Sequence, residues 1–306
     1  MKSGTVITIG TFDGVHRGHQ EILGRVRARS EGLQLPSVAY VFETPPRAFL
    51  REGDPPRRLL LPPSVRYKLI RRYVDRIVKA CFSEIRLLSA EGFIADIVVG
   101  ELRGKEIIVG EGFRFGKGRE GDITTLRSLA SAHGYRVEGV PPVIVEGKVV
   151  SSTLIRGLLS QGRIAEATRL LGRFPVLIGE VTSGDRLGRR LGYPTANLRI
   201  SPEILLPGSG VYLARAFVAG GWADALLYIG TRPSVEDKDL RCELHLMREP
   251  GRELYGLTIE VRILERLRED RAYPSLDDLR RQIGRDLRRA RERLRHYPPF
   301  LERIDG

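Results

Sequence analysis

The chain has 306 residues, 42% of them hydrophobic and 29% charged, which is a globular composition at a length that predicts two domains. No apolar run approaches a membrane span, no signal-peptide core follows Met1, and two cysteines, Cys81 and Cys242, are too few for a disulfide framework or a zinc site. A reducing cytoplasm is therefore the expected location. The net charge is +13, but 44 of the 51 basic residues are arginines spread along the whole chain, so anionic small molecules suffice as partners and neither nucleic acid nor membrane is expected. Oligomeric state is not encoded in any feature of the sequence.

Residues 5–9 (TVITI) predict a short buried strand, and residues 20–29, with Ile22, Leu23 and Val26, predict a helix. Between them runs Gly10-Thr11-Phe12-Asp13-Gly14-Val15-His16-Arg17-Gly18-His19. Two of the chain's five histidines stand three residues apart here, where a strand gives way to a helix. Backbone N–H groups and the helix dipole favour an anion at such a place. Gly10, Gly14 and Gly18 permit close approach of a ligand. His16 and His19 are placed to stabilise charge on a phosphoryl group.

Further strands are predicted at 37–42, from 76, at 106–109 and at 136–140. They alternate with helices at 64–73, 93–102, 124–133, 152–160 and 164–171. This alternation predicts an α/β domain with a parallel sheet covered on both faces. Ser152 and Thr153 offer hydroxyls at a helix start, which cap free N–H groups or bind phosphate, and Arg156 can grip a leaving pyrophosphate. At Gly172-Arg173-Phe174-Pro175 the pattern changes, dividing the chain into 1–172 and 173–306. Strands at 176–181, 211–218, 223–229, 240–247 and 257–264 predict an antiparallel β-barrel. A terminal helix over 276–295 follows, capped by Ser275, with Leu276, Leu279, Ile283, Leu287 and Leu294 on one face and a solvated basic side.

Asn197 is the only asparagine in the chain. It closes a stretch in which Gly184, Gly188 and Gly192 alternate with Arg186, Arg189 and Arg190, a composition suited to a phosphate-covering loop. Thr195 and Asn197 lie two apart, so on a strand they face the same side. A hydroxyl and an amide carbonyl are hard oxygen donors suited to Mg²⁺.

The segment GTFDGVHRGHQ resembles the first motif of bacterial bifunctional riboflavin kinase/FAD synthetases, whose HxGH signature belongs to the nucleotidyltransferase superfamily. The resemblance extends over nearly the whole chain. Ser151–Arg156 is similar to ISSTxIR, and Val109–Asp122 is similar to VGxDFRFGxxRxGD. Gly192–Asn197 resembles GxPTAN, Ile229–Ser234 resembles IGxRPT, Glu243–Leu246 resembles ExHL and Leu254–Gly256 resembles LYG.

The resemblance implies a Rossmann-like nucleotidyltransferase domain followed by a riboflavin-kinase barrel. The first would adenylylate FMN to FAD, and the second would phosphorylate riboflavin with MgATP. It implies that Gly10, Thr11, Phe12, Asp13, Gly14, Gly18, Ser152 and Thr153 bind ATP, with His16, His19 and Arg156 catalytic. Gly112, Phe113, Arg114 and Phe115 would bind FMN. In the kinase, Gly184, Arg186, Gly188, Gly192 and Pro194 would bind ATP, Thr195 and Asn197 would hold Mg²⁺, and Glu243 would be the base toward the ribityl 5′-hydroxyl. Two positions depart from the pattern. Gly112 stands where Asp or Asn is usual, and Phe42-Glu43-Thr44-Pro45-Pro46 replaces FDPHP. An alternative on these grounds is a kinase whose adenylyl module is weak or lost. A second alternative is a basic nucleic-acid-binding protein.

Overall fold

The structure is a computed structural model that describes residues 4–43, 58–80, 85–183, 187–231, 241–248, 251 and 253–298. The chain forms two compact units, one of residues 1–57 and 63–152, the other of residues 58–62 and 153–306.

In the first unit, β1 (Thr5–Gly10), β2 (Ser37–Phe42), β3 (Arg76–Ala80), β4 (Gly104–Gly110) and β5 (Arg136–Val140) form one parallel sheet in the order β3-β2-β1-β4-β5. β1 and β2 are short apolar runs because both faces of the sheet are covered. The order reverses between β1 and β4, and a crevice opens beyond the carboxyl ends of strands at such a switch point. Helix Arg17–Leu33 follows β1 after the turn of residues 11–16, at this position. Helix Ile123–His133 is fixed at its start by Asp122, whose carboxylate accepts from the backbone N–H of Thr124 and Thr125.

The helix expected over 93–102 has a different register. A short helix, Ala90–Gly92, continues as a π-helix over Phe93–Glu101, and Leu102 N–H donates to Ile97 O at 2.9 Å, five residues back. An apolar run of this length reports that a helix is buried, but not which carbonyl each N–H meets. A hairpin of β6 (Ile144–Val145) and β7 (Lys148–Val149) precedes Ser151.

In the second unit, β8 (Val176–Thr182), β9 (Ala196–Arg199), β10 (Gly210–Val218), β11 (Gly221–Gly230), β12 (Arg241–Leu246) and β13 (Thr258–Glu269) close an antiparallel barrel in the order β10-β11-β12-β9-β8-β13. Leu198, Tyr212, Leu227, Ile229, Cys242, Leu244 and Ile263 are buried along these strands. Desolvation pushes the Cys242 thiol up to about 12, so it stays protonated and inert. A second apolar layer of Val211, Leu213, Leu226 and Leu264 packs with Leu287 and Ala290 of helix Leu276–Leu294.

One expectation changes here. The inward stripe of the terminal helix contains Gln282 and Asp286 as well as Leu287 and Ala290, while Leu276 is 51% exposed. Asp286 pairs with Arg268 at 2.8 Å and Gln282 accepts from Arg271 at 2.7 Å, so these polar groups are buried with partners. The compact units divide after residue 152. Helices Ser152–Ser160 and Ile164–Leu171 belong with the barrel, the second packing on β13. A change of periodicity marks a change of element type, whereas packing follows the apolar faces of those helices.

Candidate functional site

The turn after β1 is shaped by non-glycine residues in left-handed conformations. Phe12 has φ 51°, Val15 has φ 37° and Gly14 has φ 81°. For β-branched Val15 this is a strained conformation that surrounding contacts must hold. Three carbonyls of the turn receive side-chain donors. Arg66 Nη1 donates to Thr11 O at 3.0 Å, Ser152 Oγ to Asp13 O at 2.9 Å, and Gln20 Nε2 to Val15 O at 2.8 Å. Each donor neutralises carbonyl charge that would otherwise oppose an anion in the turn. The Ser152 contact joins two motifs 139 residues apart in sequence.

His16 is the N-cap of helix Arg17–Leu33, its Nδ1 accepting from the backbone N–H of His19 at 3.3 Å. An accepting Nδ1 carries no proton, so the neutral ring bears its hydrogen on Nε2 as a donor. The His16 and His19 rings stack with centroids 3.7 Å apart, and Phe12 meets His19 edge-on at 5.3 Å. His16 and Asp13 are buried; His19 is half-buried. The structure therefore assembles Gly10 through His19 and Ser152 as one turn at a helix N-terminus. Thr153 and Arg156 fall in the second unit, where Arg156 Nε donates to Arg58 O at 3.0 Å.

The Gly112–Phe115 loop divides its aromatics between two roles. Phe115 is buried in the sheet's core against Phe93, and Phe113 stacks on it at 5.5 Å. Phe113, half-buried, is thus the aromatic of the pair left with surface for a ligand. Arg114 pairs with Asp122, the cap of helix Ile123–His133, whose carboxyl is held below its ordinary range first by the Thr125 backbone N–H and then by Arg114. Gly112 is exposed with nothing near its missing Cβ.

In the barrel, strand register makes the site. Asn197 on β9 pairs with Glu243 on β12, which pairs with Tyr228 on β11. Paired residues in antiparallel strands project to one side. Their neighbours Leu198, Cys242, Leu244, Leu227 and Ile229 are buried on the other. Thr195 Oγ1 donates to Glu243 Oε2 at 3.2 Å. His245 Nδ1 lies 2.8 Å from Pro194 O and its ring meets Tyr193 edge-on, fixing the segment that carries Thr195. Gly188, on helix Leu187–Arg190, is required by close approach, since a Cβ there would sit 2.8 Å from Thr195 Oγ1. Thr195, Asn197, Glu243 and Gly188 thus come together. Gly184, Arg186, Arg232–Ser234 and Thr44–Pro46 lie outside the described residues.

Tyr228 was not singled out from sequence. Its hydroxyl donates to Asp270 Oδ2 at 3.1 Å, and burial, then the nearby Asp270 carboxylate, raises its pKa. The ring lies across Gly230, where any side chain would collide with it. Arg66 was missed as well, although a basic residue on the apolar stripe of helix Pro63–Arg71 is a visible anomaly.

Residues 1–154 match the family model described as FAD synthetase, and residues 171–294 match the one described as riboflavin kinase. The chain belongs to the bifunctional riboflavin kinase/FMN adenylyltransferase family. A member of that name from Escherichia coli (strain K12) is 36% identical over 294 residues, covering 95% of this chain and 93% of the relative. The Pseudomonas fluorescens member is 38% identical over 290 residues, covering 94% and 92%. A solved structure from Streptococcus pneumoniae, described as a macrolide-efflux protein, is 27% identical with a TM-score of 0.86, covering 97% and 96%. Among the described residues here, no helix is long and apolar enough to cross a membrane. The histidine turn lies inside the FAD synthetase match, and Thr195, Asn197 and Glu243 lie inside the riboflavin kinase match. Arg156 falls between the two.

Proposed function

We propose that this family member makes FMN from riboflavin and ATP in its barrel, and FAD from FMN and ATP at its histidine turn. The observation that carries the kinase half is the row Asn197–Glu243 with Thr195 bonded to the same carboxylate. In the barrel, Glu243 takes the proton of the ribityl 5′-hydroxyl as that oxygen attacks the γ-phosphorus and ADP leaves. The Thr195 hydroxyl keeps Glu243 aimed before substrate arrives. Thr195 and Asn197 fit a Mg²⁺ ion by chemistry, being neutral hard oxygens that leave room for phosphate oxygens. Such an ion, when bound, neutralises charge on the transferring phosphates.

At the turn, an FMN phosphate oxygen attacks the α-phosphorus of ATP and pyrophosphate leaves. His16 Nε2–H and the N-terminus of helix Arg17–Leu33 stabilise the charge on the phosphoryl oxygens. Phe113 packs on the flavin ring. The substrates are small molecules of the cytoplasm, ATP and FMN anionic and riboflavin neutral, and the division of labour follows the two units.

Purified protein incubated with riboflavin and MgATP, resolved by chromatography, tests this directly. FMN should rise first and FAD follow. FMN without FAD would favour a kinase that has lost its adenylyl step, the reading that Gly112 invites.

A further inference from the structure

Helix Pro63–Arg71 turns Val65, Arg66, Leu69 and Ile70 inward. Three are apolar, as a buried stripe requires. The fourth is an arginine with 0% of its surface exposed. Burying a guanidinium costs several kcal/mol, roughly, unless it is paired, and arginine cannot escape the cost by losing its proton. Among the described residues no carboxylate pairs with it. Nη1 donates to Thr11 O and Nη2 to Glu43 O, each at 3.0 Å, and the Tyr67 hydroxyl lies at 3.5 Å from Nη2. Nε is buried with no hydrogen-bond partner. Both carbonyls lie one residue beyond a strand, Thr11 after β1 and Glu43 after β2, at the rim where the phosphate turn begins. A methionine would fill this volume without the desolvation cost, so packing does not account for an arginine here.

We propose that Arg66 is a positioning residue for adenylyl transfer. Its rigid fork locks the first carbonyl of the turn, and with it the strained path through Phe12 to Val15. Its charge, which no carboxylate among the described residues pairs with directly, also makes the crevice positive where the triphosphate of ATP would lie. The first effect acts on geometry and therefore on kcat. The second acts on ground-state binding of an anion and therefore on the KM for ATP. The inference rests on the adenylyl-transfer reading of this unit.

The test uses the full chain as Arg66→Lys and Arg66→Met, with FAD formation from supplied FMN as the readout and FMN formation from riboflavin as the control. Lysine keeps the charge but not the fork. Arg66→Lys should hold the KM for ATP within about threefold of wild type while kcat falls by roughly tenfold or more, the scale of a small misplacement. Arg66→Met should lower kcat similarly and also raise the KM for ATP by about tenfold. FMN formation should stay unchanged in both. Wild-type FAD kinetics in either variant would overturn the proposal. So would parallel loss of FMN and FAD formation in Arg66→Lys, which would make Arg66 a folding residue. If Arg66→Met does not fold, Arg66→Lys decides alone. Failure of the wild-type chain to make FAD would defeat the adenylyl-transfer reading itself, and this inference with it, before any variant is compared.

Discussion

The histidine turn draws Gly10 through His19 from one continuous stretch, whereas the barrel site draws Asn197, Glu243 and Tyr228 from three strands joined by register. The turn is strained, with Phe12 and Val15 at positive φ, and is held by Arg66, Ser152 and Gln20 from outside. The barrel row is held by the backbone ladder itself. A site made of a local motif can be read from sequence but depends on remote ties to stay in shape. A site made by register is hidden from local reading, but its scaffold protects it. Damage to the first should therefore come from supporting residues as well as reactive ones, and damage to the second chiefly from the reactive groups.

The largest expected effect is in the barrel. Glu243→Gln should lower kcat for FMN formation by roughly 10²–10⁴, the range for losing a general base. Steady-state kinetics should show riboflavin KM little changed, and a change confined to KM would make Glu243 a binding residue. Next, His16→Ala should slow FAD formation from supplied FMN by about 10²–10³, the scale of one charge-stabilising donor, and leave FMN formation alone. Equal losses in both reactions would erase the distinction between the two sites.

Ser152→Ala sharpens the comparison from the supporting side. It removes the donor to the buried Asp13 carbonyl and should cost about 1 kcal/mol of stability in the first unit. Chemical denaturation would measure this, and FAD formation should fall while FMN formation does not. An unaltered FAD rate would show that the turn keeps its shape without this tie.

The smallest effect concerns pH. Asp75 accepts from Ser37 N–H and Ser37 Oγ at 2.8 and 2.7 Å, and these bonds, the backbone one first, hold its carboxyl below the ordinary value of 3.8. A depressed carboxyl stabilises the fold above its unfolded pKa and loses that contribution as pH falls through the folded value. Denaturation midpoints of wild type should therefore fall more steeply below about pH 4 than those of Asp75→Asn. Parallel curves would contradict the assignment.

Much of the fold was legible because periodicity and burial agree. β1 and β2 are continuous apolar runs, the terminal helix starts at its Ser275 cap, and the barrel strands alternate as antiparallel strands do. The π-register at Phe93–Glu101 was not legible, since α and π turns bury the same run. β9 is four residues long, too short for a period to show, and only the spacing of Thr195 and Asn197 hinted at it. Phe113 and Phe115 look alike in sequence, yet one is core and the other stands at its edge. Gln282 and Asp286 break the apolar pattern because partners on other segments, Arg271 and Arg268, make their burial tolerable; Arg66 breaks it with only backbone carbonyls as strong partners.

The central claim is that two independent sites act in turn on one flavin. Mixing Glu243→Gln protein with His16→Ala protein, in the presence of riboflavin and MgATP, tests it most directly. Neither variant alone should make FAD from riboflavin at an appreciable rate. Together they should, because FMN released by the intact barrel of one can enter the intact turn of the other. FAD absent from the mixture, while Glu243→Gln still converts supplied FMN, would mean that FMN does not pass between chains and that the two sites are not independent.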